Sequence, residues 1–176
     1  LAVAGRWLYV AESAAAPQDR ARLLRVAIDS AQNDFLRVQQ IDLPADLSGA
    51  GTPYGYQDLA ITYGVHTYLA VTASQQSLGV SMRRSPPDGG KVFLIDLDQC
   101  TVVGGRLTAG ADAIARVVFP AGQGKGPQFI ASAGVRDGSL RFILSDALDN
   151  NSGLATVLVG LTPEGRFLGE PRVNTI

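Results

Sequence analysis

The fold is decided by YGYQDLAIT at residues 54–62, YLAVT at 68–72 and GKVFLIDLD at 90–98. Each run is short, rich in aliphatic, aromatic and β-branched residues, and separated from the next by turn-forming residues. This pattern predicts three consecutive strands at 58–62, 68–72 and 92–97. A fourth, outer strand follows at either 101–107 or 115–119, and the other of these two segments is a loop or an added strand.

The same arrangement recurs on both sides of this stretch. LAVA at 1–4 and RWLYVAES at 6–13 align with LAIT at 59–62 and TYLAVTAS at 67–74. The first copy continues with predicted strands at 23–28 and 35–43, although the composition of 14–27 also suits a helix. The third copy has predicted strands at 128–131, 140–145, 156–161 and 166–173, with Asp137-Gly138 as a tight turn. The sequence therefore predicts a single domain of three repeats, at about 1–45, 55–120 and 126–176.

The apolar pattern indicates that the sheets are covered on both faces. VFLI at 92–95 and FIL at 142–144 are apolar at consecutive positions. A sandwich would show cleaner alternation because one face of each sheet meets water, and a parallel sheet would need crossover helices for which the links are too short. The predicted fold class is all-β, a β-propeller with about three four-stranded antiparallel blades visible.

Three blades are too few for a closed ring, which has at least about four. Further blades would come from the same polypeptide or from a symmetry mate. We expect the first arrangement, a larger closed propeller, because residue 1 already lies within a predicted strand.

Several short segments resemble the YVTN family of β-propeller repeats. YVAE at 9–12 stands where that family has its name-giving tetrapeptide, and LAVT at 69–72 is a looser match. GKVFLIDL at 90–97 is similar to the family's following strand, and GTPYG at 51–55 resembles the lead-in to its inner strand. The chain departs from the family where YGVH at 63–66 replaces a Pro-Asp-Gly turn. The resemblance implies a lactonase-like or surface-protein propeller in an extracytoplasmic setting: periplasmic, secreted or cell surface.

Composition excludes some classes of partner. With 15 basic and 16 acidic residues the formal net charge is −1, so nothing favours nucleic acid. No apolar run approaches the roughly 20 residues of a membrane span, and no transmembrane segment is expected in this chain. Cys100 is the only cysteine, and we expect either a small apolar filler or half of a bridge to a segment outside the chain.

The lengths of the links predict that one face of the domain is elaborated. Successive links in an antiparallel sheet lie at opposite ends of the strands. The first-to-second strand links are short, whereas the second-to-third links and the links between repeats are long and polar. We expect a protein or carbohydrate partner on this loop-rich face, although insertions without a role would look the same. The candidate binding residues are Tyr54, Tyr56, Asp58, Arg83, Arg84 and Gln128.

Each candidate has a structural alternative. Tyr54, Tyr56 and Asp58 lead into an inner strand, where they could contact a sugar, a peptide or a cation, or simply pack and close a turn. Arg83-Arg84 could pair with an acidic partner or lie in a solvated loop.

Catalytic and metal-binding patterns are weak. His66 is the only histidine and is predicted on the short-link face, without the G-x-S-x-G motif that often accompanies a catalytic triad. Asp96 and Asp98 are predicted to cap a turn or face solvent. We therefore expect no cofactor and no metal.

The sequence favours a non-catalytic binding or assembly scaffold of an extracytoplasmic or cell-surface protein. The alternative is a lactonase-like or quinoprotein-like propeller enzyme with its site at the central channel, which rests on fold-level resemblance. A third is an intracellular interaction platform. His, Arg and Glu at the inner-strand entrances would favour the enzyme, whereas these positions hold Tyr56, Asp58 and Gln128.

Overall fold

A computed structural model of the protein describes residues 1–12, 22–28, 37–43, 54–75, 91–118, 129–145 and 153–175. The described residues form β-strands and two single turns of 3₁₀ helix, and they contain no α-helix. Within these ranges no helix is long and apolar enough to cross a membrane.

Within the described ranges, fourteen strands are arranged in three sheets. In chain order the strands are β1 (Ala2–Ala4), β2 (Trp7–Glu12), β3 (Arg22–Ala27), β4 (Val38–Asp42), β5 (Tyr54–Tyr63), β6 (Thr67–Gln75), β7 (Lys91–Asp96), β8 (Thr101–Val103), β9 (Arg106–Thr108), β10 (Ile114–Val118), β11 (Phe129–Arg136), β12 (Ser139–Ser145), β13 (Leu154–Leu161) and β14 (Phe167–Thr175). The first sheet has the order β1-β2-β3-β4-β9-β8, the second β10-β7-β6-β5 and the third β11-β12-β13-β14. Described neighbours pair antiparallel except β4 and β9, which are parallel.

The predicted strands are confirmed in all three repeats, with shifts at their ends. The strand β5 starts at Tyr54, earlier than predicted, and a bulge between Tyr56 and Leu59 accommodates the extension. Of the two candidates for the outer strand of the second repeat, the later one pairs with β7. The helical alternative for 14–27 is wrong for Arg22–Ala27, which is a strand, and the rest of that segment lies outside the described residues.

The prediction of four strands is wrong for the first sheet, which has six. The earlier candidate segment of the second repeat forms the hairpin β8–β9 and extends the first sheet instead of the second. Leu107 of this hairpin is buried, and Arg106 pairs with Asp42 at 2.6 Å between Nε and Oδ2. The added strands cover the edge of β4, which would otherwise present unpaired backbone groups.

The second sheet is buried on both faces, as the runs of consecutive apolar residues predict. All six residues of β7 are buried. Leu69 and Phe93 pack in a core shared with the first sheet, whereas Tyr68 and Leu94 pack in a core shared with the third. Burying each such side chain stabilises the fold by about 1.5–3 kcal/mol.

Two cores therefore hold the three sheets in a stack. Members of the first core are Tyr9, Leu23 and Ile41 from the first sheet and Leu69, Val71, Phe93 and Ile95 from the second. Members of the second core are Tyr68, Ala70, Val92 and Leu94 from the second sheet and Leu140, Phe142, Leu144 and Val157 from the third.

The first strand of each sheet lies beside the first strand of its neighbour. The strand β5 contacts both β1 and β11. Thr62 and Ser132 share a hydrogen bond between β5 and β11, and the Tyr63 hydroxyl donates to the Val3 carbonyl of β1 at 3.2 Å. The three sheets are thus joined along one side through their first strands.

The turn between β11 and β12 forms as predicted. Asp137 and Gly138 have φ values of 52° and 66°. Both values lie in the left-handed region that a two-residue type I′ turn requires, and an Asp-Gly pair suits it.

Candidate functional site

Asp58 has the best-defined contacts among the predicted site residues. Its Oδ2 accepts a hydrogen bond from the backbone N–H of Ile130 at 3.0 Å, and its Oδ1 accepts from the N–H of Leu59 at 2.9 Å. Its own N–H donates to the Thr72 hydroxyl at 3.0 Å. Because Ile130 lies on β11, the carboxylate links the second sheet to the third, and both of its oxygens are engaged.

Of the other predicted site residues, the structure describes two and leaves three outside the described ranges. Tyr56 is half-buried against the first core, and burial raises the pKa of its hydroxyl to about 12. The backbone of Tyr54 opens β5 and pairs with Gln75 of β6. Arg83, Arg84 and Gln128 lie outside the described residues.

Most of the long links are also undescribed. The segments 13–21, 44–53, 76–90, 119–128 and 146–152 all lie outside the described ranges. Tyr56 and Asp58 both lie near the start of β5, but Tyr56 packs against the first core, whereas the Asp58 carboxylate bonds to the third sheet.

At the opposite end of the second sheet, His66 pairs with Asp96. The distance between His66 Nδ1 and Asp96 Oδ2 is 2.7 Å, and the two side chains are 17% and 1% exposed. The other oxygen of Asp96 accepts from the N–H of Asp98 at 3.2 Å, and Asp98 in turn accepts from the N–H of Thr67. This cluster ties the end of β7 to the turn before β6.

Local sequence explains the pairing. Asp96 ends β7 and caps the single 3₁₀ turn Leu97–Gln99 that follows, which is a favoured position for aspartate. Tyr68 is opposite Asp96 in the register of β6 and β7, so the turn preceding Tyr68 places the imidazole of His66 over the carboxylate. The predicted turn-capping role of Asp96 is confirmed.

The third sheet covers this end of the second sheet. The Tyr68 hydroxyl donates to the carbonyl oxygen of Gly165 at 2.6 Å, and its ring lies 5.8 Å from that of Phe167. Gly165 has a φ of 87°, and a Cβ there would lie 2.9 Å from the Tyr68 hydroxyl and 3.2 Å from His66 Cγ. Only glycine fits between these side chains.

Cys100 lies beside the same cluster, packed against the first core. Its thiol donates to the carbonyl oxygen of Asp96 at 3.2 Å. Burial, and secondarily the negative charge of Asp96, raises the pKa of Cys100 to about 12. A thiol held in its protonated form is a poor nucleophile. The packing of Cys100 against the first core agrees with the predicted apolar filler, and the alternative of a bridge to a segment outside the chain stays a prediction.

A polar arrangement also occurs on the core side of the first sheet. The Arg25 guanidinium lies 4.1 Å from the centre of the Trp7 ring, and its Nε donates to the Gln39 side chain at 2.8 Å. Burial raises the pKa of Tyr9, partly offset by its hydrogen bond to Arg25. A cation packed on an indole and bonded to a buried amide is a stabilising arrangement within the sheet.

A cavity of about 450 Å³ opens between the outer strands β10 and β14. Its lining includes Asp112, Arg116, Phe167 and Glu170. The described residues contain no group of three His, Cys, Asp or Glu side chains that could hold a metal ion.

Comparison of the chain with protein-family models, with curated proteins and with solved structures found no match in any of the three.

Sequence reasoning did not anticipate the contacts made by Asp58 and His66. Asp58 was a candidate for ligand contact or turn closure, and its carboxylate bonds to a different sheet. The contact partners, Ile130 and Asp96, are 72 and 30 residues away along the chain. Some indication in the sequence existed only for the contact between His66 and Asp96, because Asp96 was predicted near the end of a strand and His66 in a short turn.

Proposed function

We propose that the chain is part of a β-propeller that serves as a non-catalytic scaffold of an extracytoplasmic or cell-surface protein. A protein or carbohydrate partner binds on the loop-rich face. The alternative is a propeller enzyme of the lactonase-like or quinoprotein-like type with its site at the central channel.

One observation carries the proposal: the second sheet is buried on both faces between two other sheets, and the three first strands lie side by side. Sheets of a propeller pack face to face around a central axis, with the first strand of each nearest the axis. The order of strands within each sheet, running outward from β1, β5 and β11, agrees with this architecture.

The hydrogen bonds accepted by the carboxylates of Asp58 and Asp96 support a structural rather than a catalytic role for these two residues. Asp58 accepts two backbone hydrogen bonds, and Asp96 accepts one from Asp98 and pairs with His66. A general acid or base needs a proton-transfer position open to substrate, whereas these carboxylates hold strands and turns together.

A rigid stack that presents long links at one end suits recognition of a partner. Binding residues concentrate on loops that are held by a rigid framework. In the proposal Asp58 fixes the end of β5, and Tyr54, Tyr56, Arg83, Arg84 and Gln128 supply contacts around it.

The experiment is binding of the purified chain to an array of defined oligosaccharides and an array of defined peptides. The variant Arg83→Ala/Arg84→Ala removes two charges from a long link. The control Arg136→Ala/Arg166→Ala removes two exposed charges at the opposite end of the third sheet, one from the last residue of β11 and one from the link between β13 and β14.

We expect the long-link variant to lose at least about tenfold in affinity for the ligands that the wild-type chain binds, since hydrogen bonds to charged groups contribute about 1.5–3 kcal/mol each. The control is expected to bind as the wild type does. Equal loss in both variants, or no binding on either array, would contradict the proposal.

A further inference from the structure

The cavity between β10 and β14 lies at the side of the stack, where the second and third sheets end. Its volume of about 450 Å³ is within the range of about 300–1,000 Å³ that is usual for ligand sites. Strand β10 and the 3₁₀ turn Ala111–Ala113 before it line one wall. Strand β14 lines the other wall with residues 167 and 169–171.

The wall formed by β14 departs from regular strand pairing. Two of the pairs between β13 and β14 are Leu158 with Arg172 and Gly160 with Leu168. Residues 169–171 of β14 therefore stand against a single residue of β13, which makes this segment a bulge. All of the bulged residues line the cavity, so the bulge shapes this wall.

The wall formed by β10 is, in contrast, a regular strand. Its residues pair with β7 without a break in register, from Ile114 opposite Ile95 to Val118 opposite Lys91. None of its residues is proline or glycine. Among the described strands only β7 pairs with β10, so alternate backbone N–H and C=O groups of β10 point away from the sheet. A regular edge of this kind is a template for a further strand.

The fourth strands of the other two repeats do not offer such an edge. In the first repeat, β4 pairs in parallel with β9. In the third repeat, the bulge interrupts β14, and Pro171 lacks the N–H that a ladder needs. The pairing of β4 with β9 also shows that a fourth strand of this fold accepts a further strand. Of the three, β10 alone has a regular edge that no described strand covers.

Charged side chains line the cavity on both walls. Asp112 and Glu170 contribute carboxylates, and Arg116 contributes a guanidinium. All three residues are exposed, and no ion pair between described residues includes any of them. The carboxylates outnumber the guanidinium, so the cavity favours a positively charged ligand. Phe167 and Pro171 are half-buried and add apolar surface against which the stem of a long basic side chain can pack.

We propose that β10 binds an extended, basic peptide segment of a partner protein. The segment adds to the uncovered edge of β10 as a further strand, and its backbone exchanges hydrogen bonds with the groups of β10 that point away from β7. A lysine or arginine side chain of the segment lies in the cavity beside Asp112 and Glu170. Backbone hydrogen bonds of this kind supply affinity, and the side-chain pocket supplies specificity.

This surface differs from the loop-rich face of the proposed function. The described lining of the cavity shares no residue with the candidate binding residues on that face. The strand addition also does not depend on the closure of a propeller. It needs only the packing of the second sheet on the third, which the second core provides.

The probe is a fluorescent, capped peptide of alternating valine and lysine, slightly longer than β10. Fluorescence anisotropy measures its binding at chain concentrations up to about 1 mM, so that weak binding is also detected. A peptide with glutamate in place of lysine is expected to bind at least about tenfold more weakly, because it meets carboxylates of like charge. Absence of binding by the lysine peptide, or equal affinity of the two peptides, would overturn the proposal.

Two N-methylated forms of the lysine peptide test the backbone pairing. One form is methylated at the valines and the other at the lysines. Successive N–H groups of a strand point to opposite edges, so only one form loses its donors toward β10. We expect that form to bind at least about tenfold more weakly and the other to bind like the parent peptide. Equal affinity of the two forms would show that the peptide does not add as a strand.

The variant Glu170→Gln tests the recognition of charge, since it removes one carboxylate with little change in shape. We expect it to bind the lysine peptide about fivefold more weakly, as for an exposed ion pair. The matched control Glu164→Gln removes an exposed carboxylate from the link before β14 and is expected to bind as the wild type does. Equal affinity of the two variants would contradict the pairing of the peptide with Glu170.

Amide hydrogen exchange locates the bound peptide on the chain. In the free chain, alternate amides of residues 114–118 are expected to exchange rapidly, and the peptide is expected to slow them. If every amide of β10 is already protected in the free chain, a segment of the chain itself covers the edge, and the proposal is wrong.

The outcome is separable from that of the proposed function. The variant Arg83→Ala/Arg84→Ala is expected to bind the lysine peptide as the wild type does. If this variant loses the peptide while Glu170→Gln keeps it, the peptide binds the loop-rich face, and strand addition at β10 is wrong. A chain that binds the lysine peptide through Glu170 but no array ligand through Arg83 and Arg84 would overturn the proposed function alone.

Discussion

The hydroxyl of Tyr68 in the second sheet donates a hydrogen bond to the carbonyl oxygen of Gly165 in the third sheet, at 2.6 Å. Both residues are buried, so water cannot take the place of either partner. The bond fixes the distance between two sheets that otherwise meet through apolar side chains.

Tyr68→Phe removes this bond and leaves the Gly165 carbonyl without that donor. We expect the free energy of unfolding to fall by about 1–2 kcal/mol, the usual cost of an unsatisfied buried group. Urea denaturation of the variant and the wild type measures this change in the free energy of unfolding. The matched control is Tyr63→Phe, whose exposed hydroxyl donates to Val3 at 3.2 Å and can be replaced by water, so the loss is expected below about 0.5 kcal/mol. Equal losses would show that the Tyr68 hydroxyl has no special role.

Gly165→Ala introduces a methyl group into the same contact. The Cβ would lie 2.9 Å from the Tyr68 hydroxyl and 3.0 Å from Val65 Cβ, and the φ of 87° is strained for alanine. We expect a loss of more than about 2 kcal/mol.

Gly169→Ala separates the two causes. Gly169 has a φ of 72° but no atom within 4 Å of an added Cβ, so only backbone strain of about 1–2 kcal/mol applies. Thermal denaturation of both variants checks the difference. A Gly165→Ala protein as stable as Gly169→Ala would mean that the sheets yield to admit the methyl group.

Asp58→Ala removes the acceptor of two backbone N–H groups, on Leu59 and Ile130. We expect a loss of about 2–3 kcal/mol in urea denaturation, and a smaller loss for Asp58→Asn, which keeps one acceptor oxygen. Asp112→Ala, an exposed carboxylate near β10, is expected to change stability by less than about 0.5 kcal/mol. If Asp58→Asn were as unstable as Asp58→Ala, negative charge rather than a single bond would be the important property.

Stability is expected to decrease at alkaline pH. Burial raises the pKa of Cys100 from 9.0 to about 12 and that of Tyr56 from 10.0 to about 12. Between pH 9 and 12 the folded chain therefore keeps protons that the unfolded chain releases, so the free energy of unfolding falls as pH rises through this window. Below the window these two groups are protonated in both states and do not change it.

Urea denaturation at pH 7.5 and at about pH 10.5 tests this dependence. Cys100→Ala should show a smaller fall between the two values, because one of the acids whose pKa is raised by burial is gone. Parallel behaviour of the variant and the wild type would show that the thiol ionises in the folded chain as easily as in the unfolded one.

Strand positions were largely predictable from the sequence, whereas the association of strands was predictable only in part. A run of consecutive apolar residues, such as 92–95, predicts a strand that is buried on both faces, because successive side chains of a strand point to opposite faces of the sheet. The tight turn at Asp137 and Gly138 could also be predicted from the local sequence, since only certain residues adopt positive φ at both positions.

Contacts between sheets depend on how the sheets stack, and local pattern does not encode this. Asp58 has the same sequence signature whether it contacts a ligand or the N–H of Ile130. Likewise, nothing in the short segment 101–108 indicates that it pairs with β4 of the preceding sheet rather than with β7. The binding roles of Arg83, Arg84 and Gln128, which belong to the long links, remain predictions.

The parallel pairing of β9 with β4 has a consequence for synthesis of the chain. A ribosome releases the chain from its amino-terminal end at about 5–20 residues per second. The edge of β4 therefore stays uncovered for several seconds, until Thr108 has emerged and β9 can pair with it. During that interval the nascent first sheet is open to pairing with other chains, and its completion requires that the second sheet has largely been translated.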